Sequence, residues 1–437
     1  MNLFSRDASP LRGPSPGASA AARRTLNLLR QLFEDQLGNS VGVRLWDGTR
    51  VSSPHARAEL ILPVPFALRA ALAPPVDLNP GRAFVEGWID IAGDIEAGIH
   101  ALEAALGNAS KIALARIALE LARLPAPPRI PAGRRLRGRT HSRARDAAAI
   151  GFHYDQPIEF YRQFLGDELV YSCAYWDEGV TSLEEAQRAK LDYILDKLQV
   201  GRGTRFLDIG CGWGGLVVRA ARRGAHALGI TISQSQYAEA ERRIAAEGLE
   251  RNARIELLDY RELGSRRFDA IASVGMVEHV GRERFPAYFA SAYGALRPGG
   301  LFLNHGITTQ SRDGRGYRAG DDFIGRYVFP DGDLVAAGTL LRAAEAAGFE
   351  LRDAENLREH YARTLRAWGA NLDTNRQSVV GIAGERTERI WRLYMAGSAN
   401  GFARGRLGLQ QLLLAKPDPE GRTDVPPTRR YLYPALR

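Results

Sequence analysis

The run FLDIGCGWGGL, Phe206 to Leu216, constrains this chain more than any other stretch. An apolar strand pattern, TRFLDI, enters three glycines at alternate positions, Gly210, Gly212 and Gly214, and an apolar helix pattern, LVVRAARR, leaves them. Alternate glycines let the backbone approach a ligand closely, and the free N–H groups of the new helix carry a partial positive end. Downstream the pattern alternates: strand HALGITI, helix SQYAEAERRIAAEG, strands RIELLDY and FDAIASV, and strand LFLNHGI after Pro298-Gly299-Gly300. This spacing predicts an α/β fold, a doubly wound parallel sheet with its ligand beyond the carboxyl ends of the strands.

The glycine interval discriminates between ligands. A dinucleotide fingerprint needs G-x-G-x-x-G, whereas this turn reads G-x-G-x-G behind Asp208. A carboxylate suits a sulfonium or an amino group and opposes a diphosphate, which favours S-adenosyl-L-methionine over NAD or ATP. The second strand ends without the acid that usually holds ribose hydroxyls. Thr231 and Gln236 can make the same hydrogen bonds uncharged, or serve only the start of the helix that Ser233 is placed to cap.

At 437 residues the chain fits two domains. A tail over residues 1–24, rich in Pro, Ser and Gly, precedes a small α+β domain over 25–125, with helices TLNLLRQLFEDQL and DIEAGIHALEAAL around strand-like VGVRLWDGTRV and AELILPV. Residues 126–148 read as a linker, with seven arginines in PAPPRIPAGRRLRGRTHSRAR. The second domain fills 149–437. Only four of 59 basic residues are lysine, at a net charge of +9. That balance reflects either phosphate partners or GC-rich coding. The linker is either a solvated tether or adsorbs to anionic phospholipid, each Arg contributing on the order of 1 kcal/mol. Without interleaved aromatics, nucleic acid is not the expected partner. Two distant cysteines, Cys173 and Cys211, offer no disulfide framework and no metal site. No apolar run is long enough to span a bilayer, so a cytoplasmic chain touching the membrane's inner face is expected.

Several phrases in one order resemble the cyclopropane-fatty-acyl-phospholipid synthases and the related mycolic-acid and methyl-branched-lipid methyltransferases. They are HYD (His153 to Asp155), YSCAYW (Tyr171 to Trp176), LDIGCGWGG, GITISQSQ, VGMVEHVG (Val274 to Gly281) and RYVFPDG (Arg326 to Gly332). VRLWDG and AFVEGWIDIAGDIEAG resemble, less closely, the family's amino-terminal domain, which is associated with engaging lipid. The resemblance implies a Rossmann-like methyltransferase domain that moves the methyl of S-adenosylmethionine to the double bond of an unsaturated acyl chain in a membrane phospholipid. It places the cofactor against Tyr171 and Ser172, the turn Leu207, Asp208, Gly210, Cys211, Gly212, Trp213 and Gly214, then Thr231, Gln236, Asp259 and Tyr260. It places Cys173, Glu278, His305, Ile307 and Tyr361 around a bound bicarbonate serving as base.

The chemistry asks for such a group. Attack of an alkene on a sulfonium methyl leaves carbocation character on the chain, so the pocket must be dry and a base must take a proton before a ring can close. By residue type, His305, Tyr361 and backbone N–H groups can donate to an anion, and Glu278 can accept its hydrogen. Glu278 is expected after the fourth strand and His305 after the fifth. Two positions depart from the family: Gln156-Pro157-Ile158 after HYD, and Ser398 where relatives carry cysteine, which leaves no thiol there for covalent chemistry. A methyl- or methylene-branched product, a non-catalytic lipid-binding role and a homodimer all remain open at this stage.

Overall fold

Residues 19–33, 37–108, 111–130, 138–154, 156–310 and 316–432 are described by a computed structural model. The expected tail over 1–18, the linker arginines 134, 135 and 137, and Asp155 lie outside them. The chain divides into two compact units. One spans residues up to Arg134 with Asp321–Phe323 and Arg389–Asn400; the other holds the remainder.

In the first unit, α1 (Ala20–Phe33) starts where the Ser19 hydroxyl accepts from the Ala22 amide at 3.1 Å. Residues 20–24, assigned above to the tail, are therefore helical, as alanine and arginine favour once an N-cap is supplied. Strands β1 (Val41–Leu45), β2 (Arg50–Val51), β3 (Ala58–Leu62) and β4 (Asp90–Gly93) form one sheet in the order β2-β1-β3-β4, with β1 and β3 parallel. The run VGVRLWDGTRV is a hairpin, turned where Gly48 has a φ of +84°. Helices α2 (Ala67–Leu72), α3 (Asn79–Val85), α4 (Ile95–Asn108) and α5 (Lys111–Ala122) complete this α+β unit, whose core includes Leu29, Val43, Leu62 and Phe84.

The second unit opens with α6 (Arg143–Tyr154), α7 (Ile158–Leu165) and α8 (Leu183–Lys197). Helix α6 begins inside the segment read as linker. The Ser142 carbonyl accepts from the Asp146 amide at 2.8 Å, and Arg145 grips Asp331 through two bonds of 2.7 and 2.8 Å instead of standing in solvent. Next come β5 (Arg205–Ile209), α9 (Gly215–Arg222), β6 (His226–Thr231), α10 (Gln234–Ala246), β7 (Ala253–Leu257), β8 (Phe268–Val274), α11 (Val277–Val280), α12 (Phe285–Ala295) and β9 (Leu296–Thr309). The chain continues through β10 (Tyr317–Arg318), α13 (Phe323–Tyr327), β11 (Asp333–Leu334), α14 (Ala337–Ala346), β12 (Glu350–Asn356), α15 (Arg358–Thr374), α16 (Arg376–Ala383), α17 (Glu385–Ala403) and β13 (Leu407–Ala415).

Seven strands form the main sheet in the order β12-β13-β9-β8-β5-β6-β7. The five from β5 to β9 are parallel, as the alternating pattern requires, and apolar cores lie on both faces. The fold is α/β and Rossmann-like, with one difference from a purely parallel sheet. Strand β13 enters antiparallel between β9 and β12. It pairs with β9 from Leu301 to Thr309, which carries β9 four residues past His305. His305 therefore lies inside the fifth parallel strand and not after it, opposite Val274, the last residue of β8.

Packing of β6 explains a glycine in GITISQSQ. A Cβ on Gly229 would stand 2.8 Å from Cys211 Sγ, Ile255 Cδ1 and Val217 Cγ2 at once. Gly229→Ala is expected to lower unfolding free energy by about 1–3 kcal/mol in urea titration. Gly369→Ala, in open space on α15, is expected to raise it by up to about 1 kcal/mol.

Candidate active site

The carboxyl ends of β5, β6 and β8 surround a cavity of about 160 Å³. Its floor is the glycine turn, where Gly210 and Gly212 hold φ of +78° and +54°, a region costly for residues with a Cβ. A Cβ on Gly210 would also meet Met276 Cγ at 2.9 Å, whereas Gly212 has nothing within 4 Å of that position. Gly210, Cys211, Gly212 and Trp213 all line the cavity. Two residues expected there do not. Leu207 is buried in the apolar core on one face of the sheet, and Gly214 caps α9 against Ala240, leaving Gly215 as the lining residue. Leu207 precedes Asp208 on the strand and so points to the opposite face of the sheet.

Asp208 lines the cavity from the end of β5; its Oδ1 is buried with no hydrogen-bond partner among the described residues. Burial pushes its carboxyl up to about 7 despite the opposing charge of Lys190. Lys190, also in the lining, donates to the Ser172 hydroxyl at 2.8 Å, and burial lowers its ammonium to about 8. Tyr171 stacks on His153, its hydroxyl 3.2 Å from Nε2, and His153 Nδ1 meets the Val328 carbonyl at 3.1 Å. Thus HYD, YSCAYW and RYVFPDG, far apart in the chain, meet at one histidine.

On the other wall Thr231 donates to Gln236 Oε1 at 2.9 Å, which leaves the Gln236 amide hydrogens for a ligand. Ser233 caps α10 by accepting from the Gln236 amide, so cap and lining residue coexist. Asp259 and Tyr260 also line the cavity, but Asp259 is no lone strand-end acid. Arg261 holds it through bonds of 2.8 and 2.6 Å while reaching Asp146 at 3.1 Å.

The expected catalytic residues gather beside this cavity, around the overhang of β9. Glu278 on α11 accepts from the Ile307 amide at 2.7 Å through Oε1, and its Oε2 is buried without a partner among the described residues. Burial lifts this carboxyl to about 7. His305 is buried, with Nδ1 against Gln411 Nε2 at 3.1 Å and Nε2 without a partner among the described residues. Tyr361 on α15 packs against Phe402 and Trp368, and its amide donates to the Leu357 carbonyl. That residue's amide bonds to Leu409, which faces Ile307 across the β13–β9 pair. Cys173 is fully buried; its thiol donates to the Ala174 carbonyl at 3.2 Å, and burial holds it protonated far above the usual thiol range. It behaves as a small packed group and not as a nucleophile.

The residues present suit the two groups in question. Asp208 offers an unmet negative acceptor beside the glycine cradle, as a cationic cofactor requires. Glu278 Oε2 and His305 Nε2 offer an unmet acceptor and a ring nitrogen, as a small protonated oxyanion requires. Sequence reasoning missed Lys190, Arg261, Lys197 and Gln411. A signal for two of them was present: Lys190 and Lys197 are half of all the lysines and lie seven residues apart, on one face of α8.

Glu278 makes stability pH-dependent. Its ordinary value is 4.5 and its folded value about 7, so in that window the folded chain keeps a proton the unfolded chain releases. Stability of the ligand-free protein therefore falls as pH rises from about 4.5 to 7, by roughly 3 kcal/mol at about 1.4 kcal/mol per decade, with Asp208 acting in the same sense. Denaturant titrations at pH 5 and pH 8 should show that decline shrinking in Glu278→Gln.

A sequence profile described as mycolic acid cyclopropane synthetase matches residues 141–412. A probable fatty acid methyltransferase of Pseudomonas putida is 38% identical over 395 residues, 90% of this chain and 95% of its own. The cyclopropane-fatty-acyl-phospholipid synthase of Escherichia coli K12 is 36% identical over 265 residues, 60% of this chain and 66% of its own. Among solved structures, the mycolic acid cyclopropane synthase CmaA1 complexed with SAH and CTAB superposes with a TM-score of 0.58 at 32% identity, covering 62% of this chain and 98% of its own. With that profile matching well over half of the chain and the Pseudomonas putida relative matching 90% of it, the chain belongs to the mycolic acid cyclopropane synthetase family of S-adenosylmethionine-dependent lipid methyltransferases.

Proposed function

We propose that this protein transfers the methyl of S-adenosylmethionine to the double bond of an unsaturated acyl chain in a membrane phospholipid and closes a cyclopropane ring, with bicarbonate or a similar oxyanion as base. The observation that carries this reading is that Glu278 Oε2 and His305 Nε2 are buried without a partner among the described residues, next to His279 and Val274 of the cavity lining. Bound there, the cofactor supplies an electrophilic methyl and the oxyanion a proton acceptor. Asp208 complements the sulfonium, while Tyr154, Tyr171 and Trp213 wall the cavity with π faces that exclude water and tolerate positive charge. Glu278 takes the hydrogen bond of the oxyanion and so keeps its basic oxygen free; His305 and the backbone hold its charge.

A second reading is favoured by the probable fatty acid methyltransferase that matches almost end to end: a methylene-branched chain, formed when a 1,2-hydride shift moves the cation to the carbon bearing the new methyl and that methyl loses a proton, or a methyl-branched chain where a separate hydride donor then reduces the methylene. Among the described residues no helix is long and apolar enough to cross a membrane, so the proposed encounter is at the lipid surface, through basic residues such as the exposed Arg129 and Arg139.

Vesicles of unsaturated phospholipid incubated with S-adenosylmethionine carrying a CD3 group should yield acyl chains heavier by one CD2 group, one of the three deuteriums having been lost. A product heavier still by the hydrogen of that reduction would mark a methyl branch, cyclopropyl proton resonances separate ring from methylene, and label in RNA or DNA in place of lipid would overturn the proposal. Glu278→Gln should slow incorporation by about 10²–10⁴-fold; equal rates would remove Glu278 from the mechanism.

A further inference from the structure

Gln411 is an anomaly in the strand LGLQQLLLA. It is fully buried, where an amide is unfavourable unless both its ends are bonded. Both are. Its Oε1 accepts from Lys197 Nζ at 2.9 Å, and its Nε2 lies 3.1 Å from Nδ1 of His305, its direct neighbour across the β13–β9 pair. Lys197 ends α8, is buried, and is anchored a second time by Glu355, which also accepts from the Tyr193 hydroxyl at 2.9 Å.

The donor and acceptor roles in this chain follow from valence. An ammonium only donates, so the Gln411 atom facing Lys197 must be the carbonyl oxygen, and the atom facing His305 must then be the NH2 group. An NH2 group only donates, so Nδ1 must accept and carry no proton. In a neutral imidazole the remaining proton sits on Nε2, the atom without a partner at the β9 overhang. We propose that Lys197 and Gln411 are positioning residues that lock His305 in its Nε2–H tautomer, so that the ring presents a fixed donor to an oxyanion held beside Glu278. The ring is neutral because burial and the charges of Lys190 and Lys197 disfavour imidazolium. Its purpose rests on the oxyanion-assisted reaction proposed above; its geometry does not.

The test is nitrogen-15 NMR of the full-length protein labelled at histidine, with the His305 signals assigned by their loss in His305→Asn. Ligand-free wild type is expected to show a pyrrole-type Nε2 and a pyridine-type Nδ1. In Gln411→Glu an acceptor faces Nδ1, and the proton is expected to move there. The same variant should lose about 10–100-fold in kcat, with KM for S-adenosylmethionine changed less than about twofold, since neither residue lines the cofactor cavity. A wild-type proton on Nδ1, or a Gln411→Glu protein with wild-type tautomer and kcat, would overturn the relay. The wild-type spectrum decides the tautomer even if the variant fails to fold. The expected tautomers in a protein that methylates no lipid would leave the relay standing and sink the proposed function instead.

Discussion

The hydrogen bond from the Ile307 amide to the Glu278 carboxylate organises the catalytic edge. A parallel sheet ordinarily closes at a common line of strand ends, with loops above it. Here β13 supplies β9 with a second partner, so β9 runs on beyond the end of β8. The overhanging backbone places the Ile307 amide where the Glu278 carboxylate can accept from it. That one bond fixes Oε1, and the other oxygen is left buried and free. A buried carboxylate with one oxygen satisfied is costly in isolation and becomes useful only when something donates to the second.

The cofactor side follows the same logic with opposite emphasis. Asp208 and Lys190 are both buried, carry opposite charge, and bear on each other's ionisation without forming an ion pair among the described contacts. Lys190 spends a hydrogen bond on Ser172, which keeps Asp208 unneutralised and facing the glycine cradle. Arg261 does the reverse at the far wall, neutralising Asp259 and bracing it against Asp146. Three carboxylates, Asp208, Asp259 and Asp146, thus face two cationic side chains, Lys190 and Arg261, in the cavity lining, an excess of acid suited to a cationic molecule.

Much of this was legible in residue order. The glycine interval and Asp208 predicted the cradle and the charge of its ligand, and the strand-helix alternation predicted five parallel strands. Glu278, His305 and Tyr361 were implied by the family resemblance, and the fold brings the first two to one edge. What escaped notice has physical causes. Strand β13 was hidden because Gln410-Gln411 interrupts its apolar run, and those amides make sense only beside His305 and Lys197. The start of α6 was hidden by arginines, since nothing local shows that Arg145 has Asp331 as a partner 186 residues away. The boundary at Ala20 was placed late because a serine cap carries little weight in a stretch of Pro, Ser and Gly.

Short-range pattern alone specified the five parallel strands with α9 and α10 between them, which turn receives a ligand, and the sign of charge it favours, because those depend on neighbours a few residues apart. The antiparallel insertion, the shift of His305 into the interior of a strand, the reach of Arg261 to Asp146 and the Lys197–Gln411–His305 chain depend on contacts between residues about a hundred or more positions apart. Burial, which sets how Asp208, Glu278 and His305 ionise, exists only once those contacts have removed water.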